Sequence, residues 1–251
     1  MPRPPAHVPP PPKSGPSPAL IGAVVAVVVA IIAVVVYLAV RPDPVDTGDA
    51  GSPTVGAGAS SPSALPNAGG IRVGDAGEDV PDVHVFVDFQ CPWCGLLEQV
   101  SGPAITEAAL DGDIQLTYTL MSFLDGNLGN DSSLRAANAA MCADDQGAFV
   151  DYHAAVFAGQ PAEEGTGWTD EQLIGFAEAS GVEDIESFTG CLQDGTHNDY
   201  VKDMQTRSNQ EGVSGSPRVF INGDELGNDE MNTLMNDPNS FPAILEAATQ
   251  G

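Results

Sequence analysis

The sequence contains little positive charge. Only 8 of its 251 residues are Lys or Arg, against 35 Asp or Glu, and the formal net charge is −27. A surface of this sign repels phosphate backbones, which argues against binding to nucleic acid. The sequence also shows no internal repeat, and its length suits one folded domain with additional segments.

The N-terminal part of the chain lacks acidic residues altogether, since no Asp or Glu precedes Asp43. Residues 1–18 are rich in proline and are predicted to be a cytoplasmic tail without helix or sheet. Residues 19–40 carry no charge, and as a helix they would extend roughly 33 Å, enough to cross the ~30 Å of hydrocarbon in a bilayer. Basic residues before this stretch and acidic residues after it predict a single transmembrane helix with a cytoplasmic N-terminus.

The alternative to this membrane anchor is a cleaved signal peptide, and either one exports the rest of the chain. Residues 41–69 are mostly Pro, Gly, Ser, Ala and Asp, which predicts a flexible linker. Residues 70–251 then form the folded, extracytoplasmic part of a protein that is anchored in the cell membrane.

The hydrophobic pattern of residues 70–251 predicts one α/β domain with an all-helical insertion at about 131–209. Strands are expected at 71–73, 83–89, 114–123 and 218–222. Helices are expected from the cysteine pair to about 110, and at 134–144, 149–157, 170–179, 184–192, 198–209 and 241–249. Ser132 or Ser133 is expected to cap the helix at 134–144, and Thr169 with Gln172 forms a capping-box pattern before the helix at 170–179.

The main functional signal is the motif Cys91-Pro92-Trp93-Cys94, directly after the strand at 83–89. A strand that leads into a cysteine pair at the start of a helix is a typical setting for thiol-disulfide chemistry. At the helix N-terminus, free N–H groups and the helix dipole would stabilise a Cys91 thiolate. Pro92 suits the first helical turn, where its missing N–H is not needed. Cys91 is therefore predicted to be the nucleophile and Cys94, one turn further along, the resolving thiol.

Two other interpretations of the pair are a zinc half-site and a structural bridge. The sequence has no second Cys-x-x-Cys and no His-x-x-x-His to complete a zinc site, so no metal is expected. Trp93 is expected to lie beside Cys91 and to shape the surface on which a substrate docks. The alternative is a ring packed against the start of the helix.

The cysteine motif, the helical insertion and the late segment Gly215-Ser216-Pro217-Arg218 resemble the DsbA-type thiol-disulfide oxidoreductases of the thioredoxin superfamily. This resemblance covers about residues 70–250 and implies a thioredoxin fold. It also implies that the Ser216–Pro217 bond is cis, faces the cysteine pair and leaves the backbone of Ser216 free to pair with an extended substrate. The alternative is a trans proline that only begins a strand.

The chain departs from this family pattern at two positions. Trp93 occupies the place where the usual oxidant has histidine, and Val85 the place where relatives often have a buried acid. A proton for Cys94 could instead move through water, through Asp88, or through neither. These departures concern the redox potential and leave the reaction class unchanged.

Cys142 and Cys191 both fall near the ends of predicted helices in the insertion. By resemblance to membrane-tethered actinobacterial relatives they are expected to form a structural disulfide. Two buried free thiols, or a second redox-active pair, are the alternatives. His153 and His197 are expected on helix surfaces rather than in catalysis.

These features predict a membrane-anchored oxidase that introduces disulfides into exported proteins, whose thiols are its substrates. The resemblance implies a membrane partner for reoxidation, of the DsbB or vitamin K epoxide reductase-like type. No cofactor is expected, and a monomer is the default. A reductase or isomerase of the same fold is the near alternative, and a non-catalytic module that binds unfolded exported chains is the distant one.

Overall fold

The computed structural model of the chain describes residues 61–250. The predicted cytoplasmic tail, the predicted transmembrane helix and most of the predicted linker lie outside these residues. Within residues 61–250, no helix combines the length and the apolar character needed to cross a membrane.

The last residues assigned to the linker, 61–69, pack against the domain. The Ser63 amide donates to the Asp144 carboxylate at 2.9 Å, and the Leu65 amide donates to the Gly70 carbonyl at 2.9 Å. A short 3-10 turn, Pro66–Ala68, follows. The packed part of the chain therefore starts before residue 70.

A five-stranded mixed sheet forms the centre of the domain. Its strands are β1 (Ile71–Val73), β2 (Asp82–Asp88), β3 (Gln115–Met121), β4 (Arg218–Ile221) and β5 (Asp224–Glu225). Their order in the sheet is β1-β3-β2-β4-β5. Strands β2 and β3 run parallel, whereas β1 is antiparallel to β3 and β4 is antiparallel to both β2 and β5. The expected edge position of residues 71–73 is confirmed.

Strand β2 is the middle strand of the sheet, and apolar side chains pack against both of its faces. Val83, Val85 and Val87 point into the main core, and Phe86, on the opposite face, packs with Met121 in a second, smaller apolar cluster. Alternation along a strand sends successive side chains to opposite faces, so each face of β2 has its own apolar set. The C-terminal end of β2, which leads to the cysteine motif, is thereby held from both sides.

Ten α-helices accompany this sheet within residues 61–250. They are α1 (Pro92–Val100), α2 (Gly102–Leu110), α3 (Phe123–Leu128), α4 (Ser132–Asp144), α5 (Phe149–Ala158), α6 (Asp170–Ala179), α7 (Ile185–Asp194), α8 (Asn198–Gln210), α9 (Asn228–Leu234) and α10 (Phe241–Thr249). Helices α3 to α8 lie between β3 and β4 in the chain. The helical insertion is confirmed, but it starts earlier than the predicted boundary near residue 131.

Several predicted boundaries were wrong. The single helix expected to reach residue 110 is broken at Ser101, which ends α1 and precedes α2. The Ser101 hydroxyl donates to the Leu234 carbonyl at 2.6 Å, which ties the break to α9. The strand expected at 114–123 ends at Met121, because Phe123 already begins α3.

Capping was predicted correctly for one helix and wrongly for another. At α6, the Thr169 hydroxyl accepts from the Gln172 amide, and the Gln172 side chain accepts from the Thr169 amide, so the capping box is confirmed. At α4, neither predicted serine caps the helix. The Asp125 carboxylate instead accepts from the amides of Ser133 and Leu134, at 2.8 and 2.9 Å.

The expectation for the two insertion histidines was also wrong. His153 is 2% exposed and His197 is 1% exposed, so both rings lie inside the domain. His153 packs among aromatic rings, including that of Phe89. The His197 ring nitrogen Nε2 lies 2.8 Å from the Asp145 carboxylate.

Candidate active site

The cysteine motif lies in the turn between β2 and α1. The Cys91 amide donates to the Asp88 carbonyl at 2.9 Å, which closes a turn at the end of the strand. Cys91 then occupies the N-cap position of α1 in an extended conformation, with Pro92 at the first helical position. Because no side chain caps this helix, its N-terminal N–H groups remain directed towards the space around the Cys91 sulfur.

The environment of Cys91 favours its thiolate. Both cysteines of the motif are free thiols, and Cys91 is 6% exposed. A hydrogen bond from the Cys94 thiol lowers the pKa of Cys91 to about 6, and donors on Cys94, Ser216 and Trp93 add to this effect against the opposing effect of burial. At neutral pH most Cys91 side chains are therefore ionised and nucleophilic.

Cys94 is completely buried, with an exposed fraction of 0%. Burial raises the pKa of Cys94 well above its ordinary value, and the hydrogen bond to Cys91 and the negative charge on Cys91 raise it further. The pair is thus asymmetric: one sulfur is ionised and lies near the surface, and the other is protonated and lies in the core. This is the arrangement that an attacking thiol and a resolving thiol require.

Ser216 and Pro217 lie against the cysteine pair. The peptide bond between them is cis, and the Cys91 sulfur lies 3.5 Å from the Ser216 carbonyl oxygen, to which it donates when protonated. The buried Ser216 hydroxyl has no hydrogen-bond partner within residues 61–250, so it is available to donate to a Cys91 thiolate. The structure therefore brings the Cys91–Cys94 pair together with the Ser216–Pro217 segment, which lies at least 122 residues later in the chain.

The two residues between the cysteines lie at the surface. Trp93 is 61% exposed. Within residues 61–250, Trp93 and Leu110, which has the same exposed fraction, are the large hydrophobic residues with exposed side chains. Pro92 is exposed as well. An exposed indole beside a nucleophilic sulfur offers an apolar surface to a bound polypeptide.

A buried polar network supports the turn from behind. The Asp88 carboxylate accepts from the Ser133 hydroxyl at 2.6 Å and from the amides of Gln90 and Leu124 at 3.0 and 3.2 Å. Burial raises the pKa of Asp88 to about 7, although these hydrogen bonds favour the ionised form. The donors come from the turn and from the insertion, so the carboxylate fastens the insertion to the end of β2.

Gln160 belongs to the site, although no motif around it indicates this role. It follows α5, and its Nε2 donates to the carbonyls of Phe89 and Cys91 at 2.8 and 2.9 Å. A Cβ atom at position 95 would collide with the Gln160 amide oxygen, which explains the glycine next to Cys94. The insertion therefore holds the cysteine turn by its backbone.

The other two cysteines are joined to each other. A disulfide links Cys142 of α4 to Cys191 of α7, with a Cα–Cα distance of 5.9 Å. It lies within the insertion, where the His197 and Asp145 side chains are its neighbours. The structure thus separates the four cysteines into a free pair and a bridged pair.

Comparisons with known proteins agree with this geometry. The thioredoxin family model matches residues 67–237, which confirms the thioredoxin-like α/β fold. A protein of Bacillus anthracis named probable disulfide bond formation protein D is 28% identical over 163 residues, covering 63% of this chain and 73% of that protein.

Solved structures show the same fold. The reduced form of the disulfide bond oxidoreductase DsbG from Mycobacterium tuberculosis is 26% identical, with a TM-score of 0.55, and the match covers 72% of this chain and 94% of that one. The thiol-disulfide oxidoreductase MdbA from Corynebacterium diphtheriae is 24% identical, with a TM-score of 0.59, over 70% of this chain and 92% of that one.

Proposed function

The chain belongs to the thioredoxin family and is a thiol-disulfide oxidoreductase, and on this premise we propose that it is an oxidase that forms disulfides in exported proteins. The direction of electron transfer is supported by the difference between the two thiols. The pKa of Cys91 is lowered to about 6, while that of the buried Cys94 is raised. A stable Cys91 thiolate favours the reduced form of the enzyme, which makes the oxidised form a better acceptor of electrons.

The reaction consists of two exchange steps and begins with the Cys91–Cys94 disulfide. A substrate thiolate attacks the Cys91 sulfur, a substrate–Cys91 bond forms, and Cys94 leaves and takes up a proton. A second substrate thiolate then attacks the substrate sulfur of this mixed disulfide, and Cys91 leaves as the stabilised thiolate. The substrate has lost two electrons and gained a disulfide, and the enzyme has become a dithiol.

The surroundings of Cys91 supply the docking surface. The Ser216 carbonyl lies 3.5 Å from the Cys91 sulfur, and this proximity supports a role for the Ser216 backbone in pairing with an extended substrate chain. The exposed side chain of Trp93 offers apolar area to the same substrate. At the Ser216–Pro217 segment the substrate is therefore contacted through its backbone, as suits an enzyme that acts on many unfolded chains.

The enzyme would act outside the cytoplasm while anchored in the membrane. The apolar, uncharged stretch at 19–40 supports this location, as does the Cys142–Cys191 disulfide, since such bonds persist in oxidising compartments. Each turnover leaves a reduced Cys91–Cys94 pair, so an electron acceptor is required. A membrane protein of the DsbB or vitamin K epoxide reductase-like type fits this role.

A redox titration of the full-length protein in glutathione buffers, coupled to oxidation of a reduced unfolded protein, tests the proposal. An oxidase should have a potential well above the roughly −270 mV of thioredoxin and should form disulfides stoichiometrically. A potential near that of thioredoxin would instead identify a reductase. The Cys91→Ser variant should lose this oxidation. A wild-type protein that binds the reduced unfolded protein without oxidising it, and binds it equally well as Cys91→Ser, would indicate the non-catalytic binding module.

A further inference from the structure

A groove runs along the cysteine-bearing helix, on the side that faces the insertion. Its volume is about 960 Å³; α1 and α2 form one wall, and α5 with the residues after it forms the other. Pro92 and Gln160 both line it, and Gln160 contacts the Cys91 carbonyl. A chain bound at the cysteine pair can therefore continue into the groove.

The groove has apolar surface along much of its length. Leu96, Pro103, Val150 and Phe157 line it, together with Leu110. Leu110 is 61% exposed, and such an exposed leucine within a concave apolar surface is typical of a binding site rather than of a plain surface.

Acidic side chains are placed among these apolar residues. The lining includes the carboxylates of Glu98, Glu107, Asp111 and Asp151, and none of the described residues that line the groove is Lys or Arg. Glu98 lies deepest: its carboxylate rests on Gly102, where a Cβ would meet it, and its side chain is 12% exposed. The groove is therefore negative as well as apolar.

The cations of residues 61–250 do not neutralise the groove, because each has a partner elsewhere. The pairs are Arg135–Asp170, Lys202–Asp199, Arg207–Glu211 and Arg218–Glu225, and Arg72 donates to Gln115. Glu98 has a neighbouring ring nitrogen of His153 at 3.6 Å, and no described Lys or Arg forms an ion pair with the other three. Opposite charge on a bound partner would offset this uncompensated negative potential.

We propose that the groove binds a segment of the substrate polypeptide in which Lys or Arg alternates with apolar residues, next to the cysteine that is oxidised. In an extended chain, successive side chains point to opposite sides, so apolar residues can face Leu96 and Phe157 while cations face the acidic rim. This inference deepens the proposed function and rests on it: the oxidase prefers reduced cysteines with cationic, apolar flanks.

Two peptides of identical length, one with Lys–Leu and one with Glu–Leu flanks around a serine, provide a test that needs no thiol chemistry. Fluorescence anisotropy with the full-length protein should give at least tenfold tighter binding of the cationic peptide. The Glu107→Lys/Asp151→Lys variant leaves two carboxylates and adds two ammonium groups along the groove, so it should abolish this preference. The matched Glu178→Lys/Asp203→Lys variant changes the net charge equally at exposed positions of α6 and α8 and should keep the wild-type preference.

The milder Glu107→Gln/Asp151→Asn variant should give an intermediate preference, which keeps the test valid if the lysine variant does not fold. Equal effects of the groove and remote variants would overturn the proposal, because the preference would then reflect overall charge. Dithiol versions of the same peptides separate the two hypotheses. If the protein binds the cationic dithiol peptide selectively but does not oxidise it, the oxidase activity is refuted and the binding role of the groove stands. If it oxidises both peptides without a preference, the binding role of the groove is refuted and the oxidase activity stands.

Discussion

Replacing Cys94 examines the physical cause of Cys91 reactivity. The hydrogen bond from the Cys94 thiol is the main reason why the pKa of Cys91 falls to about 6. Cys94→Ala removes this donor, so the pKa of Cys91 should rise by at least one unit. Cys94→Ser keeps a hydroxyl donor at nearly the same place, and its Cys91 pKa should lie between those of the wild type and the alanine variant.

The expected magnitude follows from these pKa values. With a pKa of about 6, roughly 90% of Cys91 is thiolate at pH 7, against roughly 1% for a thiol of pKa 9.0. Relative to that unshifted thiol, ionisation stabilises the reduced form at pH 7 by about 1.4 kcal/mol, which is about 30 mV for a two-electron couple. Because the pKa of this acid is lowered, the stabilisation is complete above about pH 9 and is lost as the pH falls through about 6.

Two assays of the reduced protein report this ionisation: the ultraviolet absorbance of the thiolate and the rate of alkylation by iodoacetamide, each as a function of pH. The wild type should show a transition near pH 6, and Cys91→Ser should show none in this range. A Cys94→Ala protein that titrates like the wild type would refute the role given to the Cys94 thiol. A wild-type transition at the pH of an ordinary thiol would refute the whole electrostatic account.

Two further predictions concern stability. Replacing both Cys142 and Cys191 with serine opens a cross-link with a sequence separation of 49 residues and should lower the free energy of unfolding in urea by roughly 4 kcal/mol; a loss below about 1 kcal/mol would contradict the loop-entropy argument. Burial raises the pKa of Asp88 to about 7, so this group is harder to ionise in the folded than in the unfolded protein. Its contribution to stability should fall by on the order of 3 kcal/mol between about pH 4 and pH 7. Asp88→Asn should therefore show a smaller loss of unfolding free energy than the wild type over this range, and an unchanged slope would contradict the assignment.

The elements that the sequence predicted well are those determined locally. The strand before the cysteine motif is β-branched and aromatic, and the motif itself places Pro92 at the first turn of α1. The capping box of Thr169 and Gln172 lies within four residues, and the helix predicted at 241–249 matches α10. In each case, the residues that determine the structure are neighbours in the sequence.

The features that the sequence did not predict depend on contacts between distant residues. Asp125 caps α4 from the preceding helix, and Ser101 is fixed by a carbonyl of α9, 133 residues later. His153 is buried because aromatic rings from separate elements surround it. Gln160 has no motif around it, and only the fold brings its amide to the turn.

The hydrogen bonds from Gln160 to the Phe89 and Cys91 carbonyls affect how the enzyme can be re-engineered. The cysteine turn is not stabilised by local contacts alone, because two of its carbonyls accept hydrogen bonds from a residue about 70 positions later in the chain. Grafting Cys91-Pro92-Trp93-Cys94 onto a thioredoxin fold without the helical insertion would transfer the two cysteines but not the hydrogen bonds from Gln160. Because of the same hydrogen bonds, a ligand that shifts the end of α5 should change the redox equilibrium of the cysteine pair. Oxidation of the pair should then change the binding free energy of that ligand by an equal amount.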